Sequence, residues 1–178
     1  MSSTYKTPIN YDPQKYANYQ SIKSGTILNI ELNHIDTNLL LETHQEVWSP
    51  TPFALRIGEF IVSEGCHNKI VIDFASGSGF LSVLAKKSGA TKVIATDLNP
   101  KAIMMTKHNW ALNNLNPDQL YAIESDCFNS IKDHPEFKGQ VDMIYSNPPT
   151  LPDLEGDIKK LSAAARHGEA SRSRVDPH

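Results

Sequence analysis

At 178 residues the chain suits one domain with a full core and is short for two. Hydrophobic residues make up 39% and charged residues 21%, ordinary for a globular protein, and no apolar run reaches the roughly 20 residues of a membrane-spanning helix. A net charge of −3 makes no case for a broad nucleic-acid groove, and the two cysteines and seven histidines lack disulfide-framework or zinc-ligand spacing.

In chain order, residues 1–20 are polar and tyrosine-rich, with two prolines and little periodicity, and read as a flexible extended arm rather than a secretory signal. A cytoplasmic location with reduced thiols is the expectation. Residues 21–66 form an N-terminal extension. Within it "TILNIEL" and "NLLLET" predict a β-hairpin, and "SPTPFALRIGEFIVSEG" predicts a helix with Pro52 in its first turn and Gly65 at its end.

From residue 67 to 150 the pattern alternates. "KIVIDFA", "KVIATDL", "QLYAIESD" and "QVDMIYSN" read as buried strands. "GFLSVLAKKSG" and "NPKAIMMTKHNWALNNL" read as helices, the second with Asn99 as N-cap and Pro100 at its first position. The third connection, "CFNSIKDHPEFKG", carries a short helix. Alternation of this kind predicts an α/β fold, a Rossmann-like doubly wound parallel sheet with right-handed crossovers. Residues 151–178 read as a tail with no further strand, so the fourth strand is expected to be an open edge that a second copy or a partner covers.

Each strand end carries a polar signal. "DFASGSG" turns the first strand into a helix; Gly77 and Gly79 let backbone approach a ligand, and the helix start offers free N–H groups. Ser82 stands where a dinucleotide fingerprint has its third glycine, and Asp73, just ahead of the turn, suits a ligand bearing positive charge. Loose Gly-x-Gly turns also occur in many other α/β proteins. Asp97 lies 20 residues beyond Gly77, the spacing of a ribose-binding carboxylate; it also fits a helix cap, but Asn99 is the better cap, which leaves Asp97 for the ligand. Asp126 reads either as a turn residue or as a partner for an adenine amino group, with Cys127 and Phe128 lining the base.

The fourth strand ends in "SNPPT". Two prolines fix φ and remove donors, so the Asn147 side-chain oxygen and the Pro148 carbonyl can converge on one planar NH2. Asn-Pro-Pro is also a turn sequence, but here it follows a strand in the same unit as the other signals.

Together these four stretches resemble the class I S-adenosylmethionine-dependent methyltransferases, of the kind that includes release-factor glutamine and ribosomal guanine N-methyltransferases. "VIDFASGSG" is similar to that family's first motif, "TDLNP" to its ribose-binding acid, "SDCF" to its adenine edge and "SNPPT" to its Asn-Pro-Pro-Tyr. "EVWSPTPFA" resembles the segment ahead of the core. The resemblance covers about half of the chain closely and implies S-adenosylmethionine as cofactor; no metal site is expected, since the histidines lack ligand spacing. It implies cofactor contacts at Asp73, Ala75, Gly77, Gly79, Phe80, Asp97, Leu98, Asn99, Asp126, Cys127, Phe128 and Asn147. Leu98 and Phe128 would sandwich adenine, Asn147 and Pro148 would orient the acceptor, and Pro149 and Thr150 would contact it.

Three departures bear on this. Ala75 replaces a glycine, which a negative φ would tolerate; Thr150 replaces the aromatic that stacks on a planar acceptor; and the family's seven strands are cut to four, as in a truncated core. The expected activity is methyl transfer to a nitrogen of a protein glutamine, an RNA or DNA base or a small amine. The competing expectation is a binding module or subunit that holds S-adenosylmethionine without turnover. An NAD-dependent oxidoreductase is disfavoured by the glycine spacing and by Asn-Pro-Pro.

Overall fold

The computed structural model describes residues 2–6, 24–32 and 39–148. Two sheets share one core. The N-terminal sheet has the order β1-β2-β3: β1 (Ser2–Lys6) runs parallel to β2 (Ile27–Glu31), and β2 pairs antiparallel with β3 (Leu39–Glu42). The expected hairpin is therefore present. Within the expected arm, Ser2–Lys6 pairs along the free edge of β2, which local periodicity could not reveal because the pairing is to distant backbone.

Helix α1 (Pro52–Glu64) follows, with Thr51 as N-cap and Gly65 closing it. Its capping is local chemistry. Thr51 Oγ1 accepts the Ala54 N–H at 3.1 Å, and Pro52 occupies a first-turn position where its missing N–H is no loss.

The main sheet is parallel, in the order β6-β5-β4-β7, with β4 (Ile70–Phe74), β5 (Lys92–Asp97), β6 (Leu120–Glu124) and β7 (Met143–Ser146). Helices α2 (Phe80–Lys87) and α3 (Pro100–Leu112) make the first two crossovers. Asn99 caps α3 through its side chain, as expected. Two 3-10 turns, Ser130–Asp133 and Pro135–Phe137, replace the short helix of the third connection.

The core follows from strand alternation. Val71, Val93 and Tyr145 face α1 and α2, in one cluster with Ile61, Leu81 and Leu84. Ile72 and Ile94 face the opposite side, where Phe137 of the last 3-10 turn covers them. Ile144, in register with Ile72 on that side, stays 55% exposed because β7 is the sheet's edge among the described residues. On α3, Met105 fills core while Met104 faces outward.

The chain runs β4→β5→β6 in one direction and then returns past β4 to β7. β4 and β7 thus flank the point where strand order reverses, and a ligand crevice is expected outside their carboxyl ends.

Candidate cofactor and acceptor site

The register places the sequence signals side by side. Phe74 is paired with Ser146 on one flank and Thr96 on the other, and Asp97 with Glu124. The turn after β4, Asp97, the loop after β6 and Asn147 therefore lie at one end of the sheet.

Asp73 is buried under α2. Its Oδ2 accepts a 2.6 Å hydrogen bond from Ser82 Oγ, while its Oδ1 is buried without a partner. Burial pushes its pKa up to about 7; hydrogen bonds from the Ser82 side chain and backbone work against this, and the nearby Asp97 carboxylate adds to it. Ser82, at the third-glycine position, thus serves the acid.

Ala75 has φ +60°, not the negative φ that would make it an easy replacement for glycine. A left-handed backbone costs an alanine about 1–2 kcal/mol.

Residues 76–79 are held from outside. Ser76 N–H donates to the Thr96 carbonyl, and Ser76 Oγ meets Thr106 Oγ1 at 3.1 Å. Gly77 N–H donates to Asp97 Oδ2 at 2.9 Å, and the Gly77 and Ser78 carbonyls accept from Thr106 Oγ1 and Asn109 Nδ2 on α3. Gly79 has φ +79°, and a Cβ on it would sit 2.8 Å from the Thr106 Cα. Its missing side chain makes room for α3.

Asp97 is engaged already: Oδ2 takes Gly77 N–H and Oδ1 takes Asn99 N–H, both at 2.9 Å. Desolvation raises its pKa against these backbone bonds. Each oxygen keeps a further lone pair, so two ribose hydroxyls can still be accepted. The Asn99 amide is occupied structurally, accepting from Lys101 N–H and donating to the Glu46 carbonyl. Leu98 beside it is half-buried. Phe80 lies in the main core, its ring against Gly58 of α1.

In the loop after β6, Asp126, Cys127 and Phe128 are exposed. Ser125 Oγ organises it, donating to the Cys127 carbonyl and accepting Ser130 N–H. The Phe128 ring lies 4.9 Å from that of Phe74, so the aromatic wall of this end is a pair.

Asn147 Nδ2 donates to Thr51 Oγ1 at 3.3 Å, leaving Oδ1 as the acceptor of the carboxamide. Pro148 is exposed beside it, while Pro149 and Thr150 lie outside the described residues. The segment 46–51 crosses this end of the sheet. Glu46 is tied to Asn99, the Trp48 carbonyl lies over Gly77, and Thr51 meets Asn147.

Sequence reasoning missed Thr51, Phe74, Ser82, Thr106 and Asn109. Thr51 and Ser82 left a signal, a hydroxyl ahead of a helix-opening proline and a serine at a glycine position. Thr106 and Asn109 left none, because helical periodicity does not say which loop a helix touches. No group of metal-binding side chains occurs among the described residues, and no helix there is long and apolar enough to cross a membrane.

Comparison with known proteins fits this geometry. The family model for ribosomal protein L11 methyltransferase (PrmA) matches residues 48–148, more than half of the chain. A protein described as an N5-glutamine methyltransferase in Methanocaldococcus jannaschii is 33% identical over 117 residues, which is 66% of this chain and 54% of that one. The ribosomal protein L11 methyltransferase of Acinetobacter baylyi is 42% identical over 83 residues, 45% of this chain and 25% of that one. The crystal structure of an S-adenosylmethionine-dependent methyltransferase from Agrobacterium tumefaciens aligns with TM-score 0.53 and 23% identity, covering 74% of this chain and 42% of that one, and shows the same fold. The chain spans about half the length, or less, of these relatives.

Proposed function

We propose, because the chain belongs to the ribosomal protein L11 methyltransferase family, that it binds S-adenosylmethionine at the carboxyl ends of β4–β7 and directs its methyl group to a substrate nitrogen. The buried, unpartnered Asp73 Oδ1 supports the fit. A buried carboxylate oxygen without a donor is destabilising, and the cofactor's ammonium would supply one directly or through water. Asp97 would accept from the ribose, and Phe128 with Leu98 would flank the adenine near Asp126 and Cys127.

When bound, S-adenosylmethionine supplies a methyl group activated by its positively charged sulfur. The protein's part is positioning, which in ideal cases is worth about 7–11 kcal/mol. The observation that carries the reading is the Asn147–Thr51 hydrogen bond. With its NH2 held by Thr51, Asn147 offers Oδ1, and with the Pro148 carbonyl it would hold the two hydrogens of an acceptor NH2. Two carbonyl oxygens there also favour the positive charge that grows on the nitrogen.

The acceptor belongs to the same proposal: a protein glutamine, a nucleobase or a small amine, the first two being the groups suggested by an N5-glutamine relative and a ribosomal RNA relative. So does a partner or second copy over β7, for which the exposed Ile144 speaks. Labelled-methyl transfer to glutamine peptides, RNA and small amines, run beside S-adenosylhomocysteine calorimetry, tests the reading. Transfer that Asn147→Ala lowers by about 100-fold, with binding retained, supports it. Binding with no transfer to any acceptor supports a cofactor-holding module instead.

A further inference from the structure

Helix α3 ends with two asparagines one turn apart, Asn109 within it and Asn113 as its C-cap, both with their carboxamides turned to backbone. Asn113 Oδ1 accepts Leu40 N–H at 3.1 Å and its Nδ2 donates to the Leu40 carbonyl at 2.7 Å. Asn109 Oδ1 accepts Glu42 N–H at 2.8 Å and its Nδ2 donates to the Glu42 carbonyl at 3.1 Å. The spacing explains the fit. Four residues of helix rise about 6 Å, and two residues of strand rise about 6.7 Å, so carboxamides at i and i+4 meet alternate peptides of a strand running the other way. The two side chains pair with the outer edge of β3 as a further strand would.

The second Nδ2 hydrogen separates the two: that of Asn113 goes to the Asn109 carbonyl at 2.7 Å, within the same helix end, and that of Asn109 goes to the Ser78 carbonyl at 2.8 Å, inside the glycine turn. The Asn109 amide is fully buried, and no other side chain of that length has two donors and an acceptor on one planar group. Three residues earlier on the same face, Thr106 Oγ1 donates to the Gly77 carbonyl. Two successive carbonyls of the turn thus point at α3. Because C=O and N–H are opposed across a trans peptide, the Ser78 N–H, whose peptide Thr106 holds, points away from α3, and the Gly79 N–H, whose peptide Asn109 holds, turns back to the Ser76 carbonyl at 2.8 Å.

We propose that Asn109 is the positioning residue of the cofactor loop, tying the Ser78–Gly79 peptide of the turn to the backbone of β3 through one carboxamide. This rests on the S-adenosylmethionine-binding reading above. Asn113 is the built-in control, since it makes the same kind of pair with β3 and touches no part of the turn.

The test measures melting temperature without ligand and calorimetric affinity for S-adenosylhomocysteine in the full chain, for wild type, Asn109→Leu and Asn113→Leu. Both variants are expected to melt earlier. Asn109→Leu should weaken binding at least tenfold, and Asn113→Leu less than twofold. If Asn109→Leu does not fold, Asn109→Ser, which keeps one donor, reads the same contrast. Equal losses of affinity in the two variants, or none in either, overturn the inference and leave both asparagines as edge pairing. Wild-type chain that does not bind S-adenosylhomocysteine overturns the binding reading itself, and the inference with it.

Discussion

Gly79 and Thr106 are pressed together: a Cβ added to Gly79 would lie 2.8 Å from the Thr106 Cα and 3.0 Å from its Oγ1. The nearest atom is backbone, so no rotamer change relieves the clash. Gly79→Ala therefore combines a left-handed φ, about 1–2 kcal/mol, with overpacking, about 1–3 kcal/mol. The expected loss of about 2–5 kcal/mol is a large part of a domain's usual margin of about 5–15 kcal/mol. Urea denaturation reads it directly, and an unchanged midpoint contradicts the contact.

Ala75 predicts the opposite sign. Its φ of +60° suits glycine, so Ala75→Gly removes about 1–2 kcal/mol of strain and adds about 0.4–1 kcal/mol of unfolded-chain entropy. The strain term is larger. A net gain of up to about 1.6 kcal/mol is expected, seen as a rise of a few degrees in melting temperature.

Asp73 makes stability pH-dependent. Its folded pKa is raised to about 7 from an ordinary value near 3.8 by burial. The folded state thus holds the proton more tightly, so this group's stabilising contribution is complete below about pH 4 and is lost as pH rises to about 7. The loss is on the order of 4 kcal/mol at 1.36 kcal/mol per pH unit. Asp73→Asn should flatten the pH 4–7 part of the stability curve. A bound ammonium would favour the carboxylate, so binding near pH 6 should release protons, measurable as calorimetric enthalpies that vary with buffer ionisation heat. Binding without proton release would separate Asp73 from the ligand.

Thr51 ties the helix cap to Asn147. Thr51→Val removes the acceptor for both the Ala54 N–H and Asn147 Nδ2, and costs about 1 kcal/mol as a lost cap. If the Asn147 carboxamide acts as proposed, methyl transfer falls at saturating cofactor while S-adenosylhomocysteine affinity holds, and Thr51→Ser restores transfer. A loss confined to stability leaves Thr51 a cap alone.

The four parallel strands, both crossover helices and the Asn99 cap were legible because each is encoded locally, in apolar runs and terminal signals within a dozen residues. So was the shared end at which Asp73, Asp97 and Asn147 stand, since a parallel sheet brings all strand ends to one side. What hid was set by contacts distant in sequence. The role of Gly79 depends on Thr106, 27 residues on; the partner of Asn147 lies 96 residues back; and Asp97, expected to be unengaged, holds the Gly77 amide. The positive φ at Ala75 was hidden too, because residue type alone does not reveal it.

A crystal structure of the chain with S-adenosylhomocysteine tests the central claim most directly. The account predicts ribose hydroxyls on Asp97, the amino group at Asp73 Oδ1 or one water away, and the sulfur facing the Asn147 carboxamide. Adenosine bound away from the β4–β7 ends, or an Asn147 carboxamide turned from the sulfur, contradicts it.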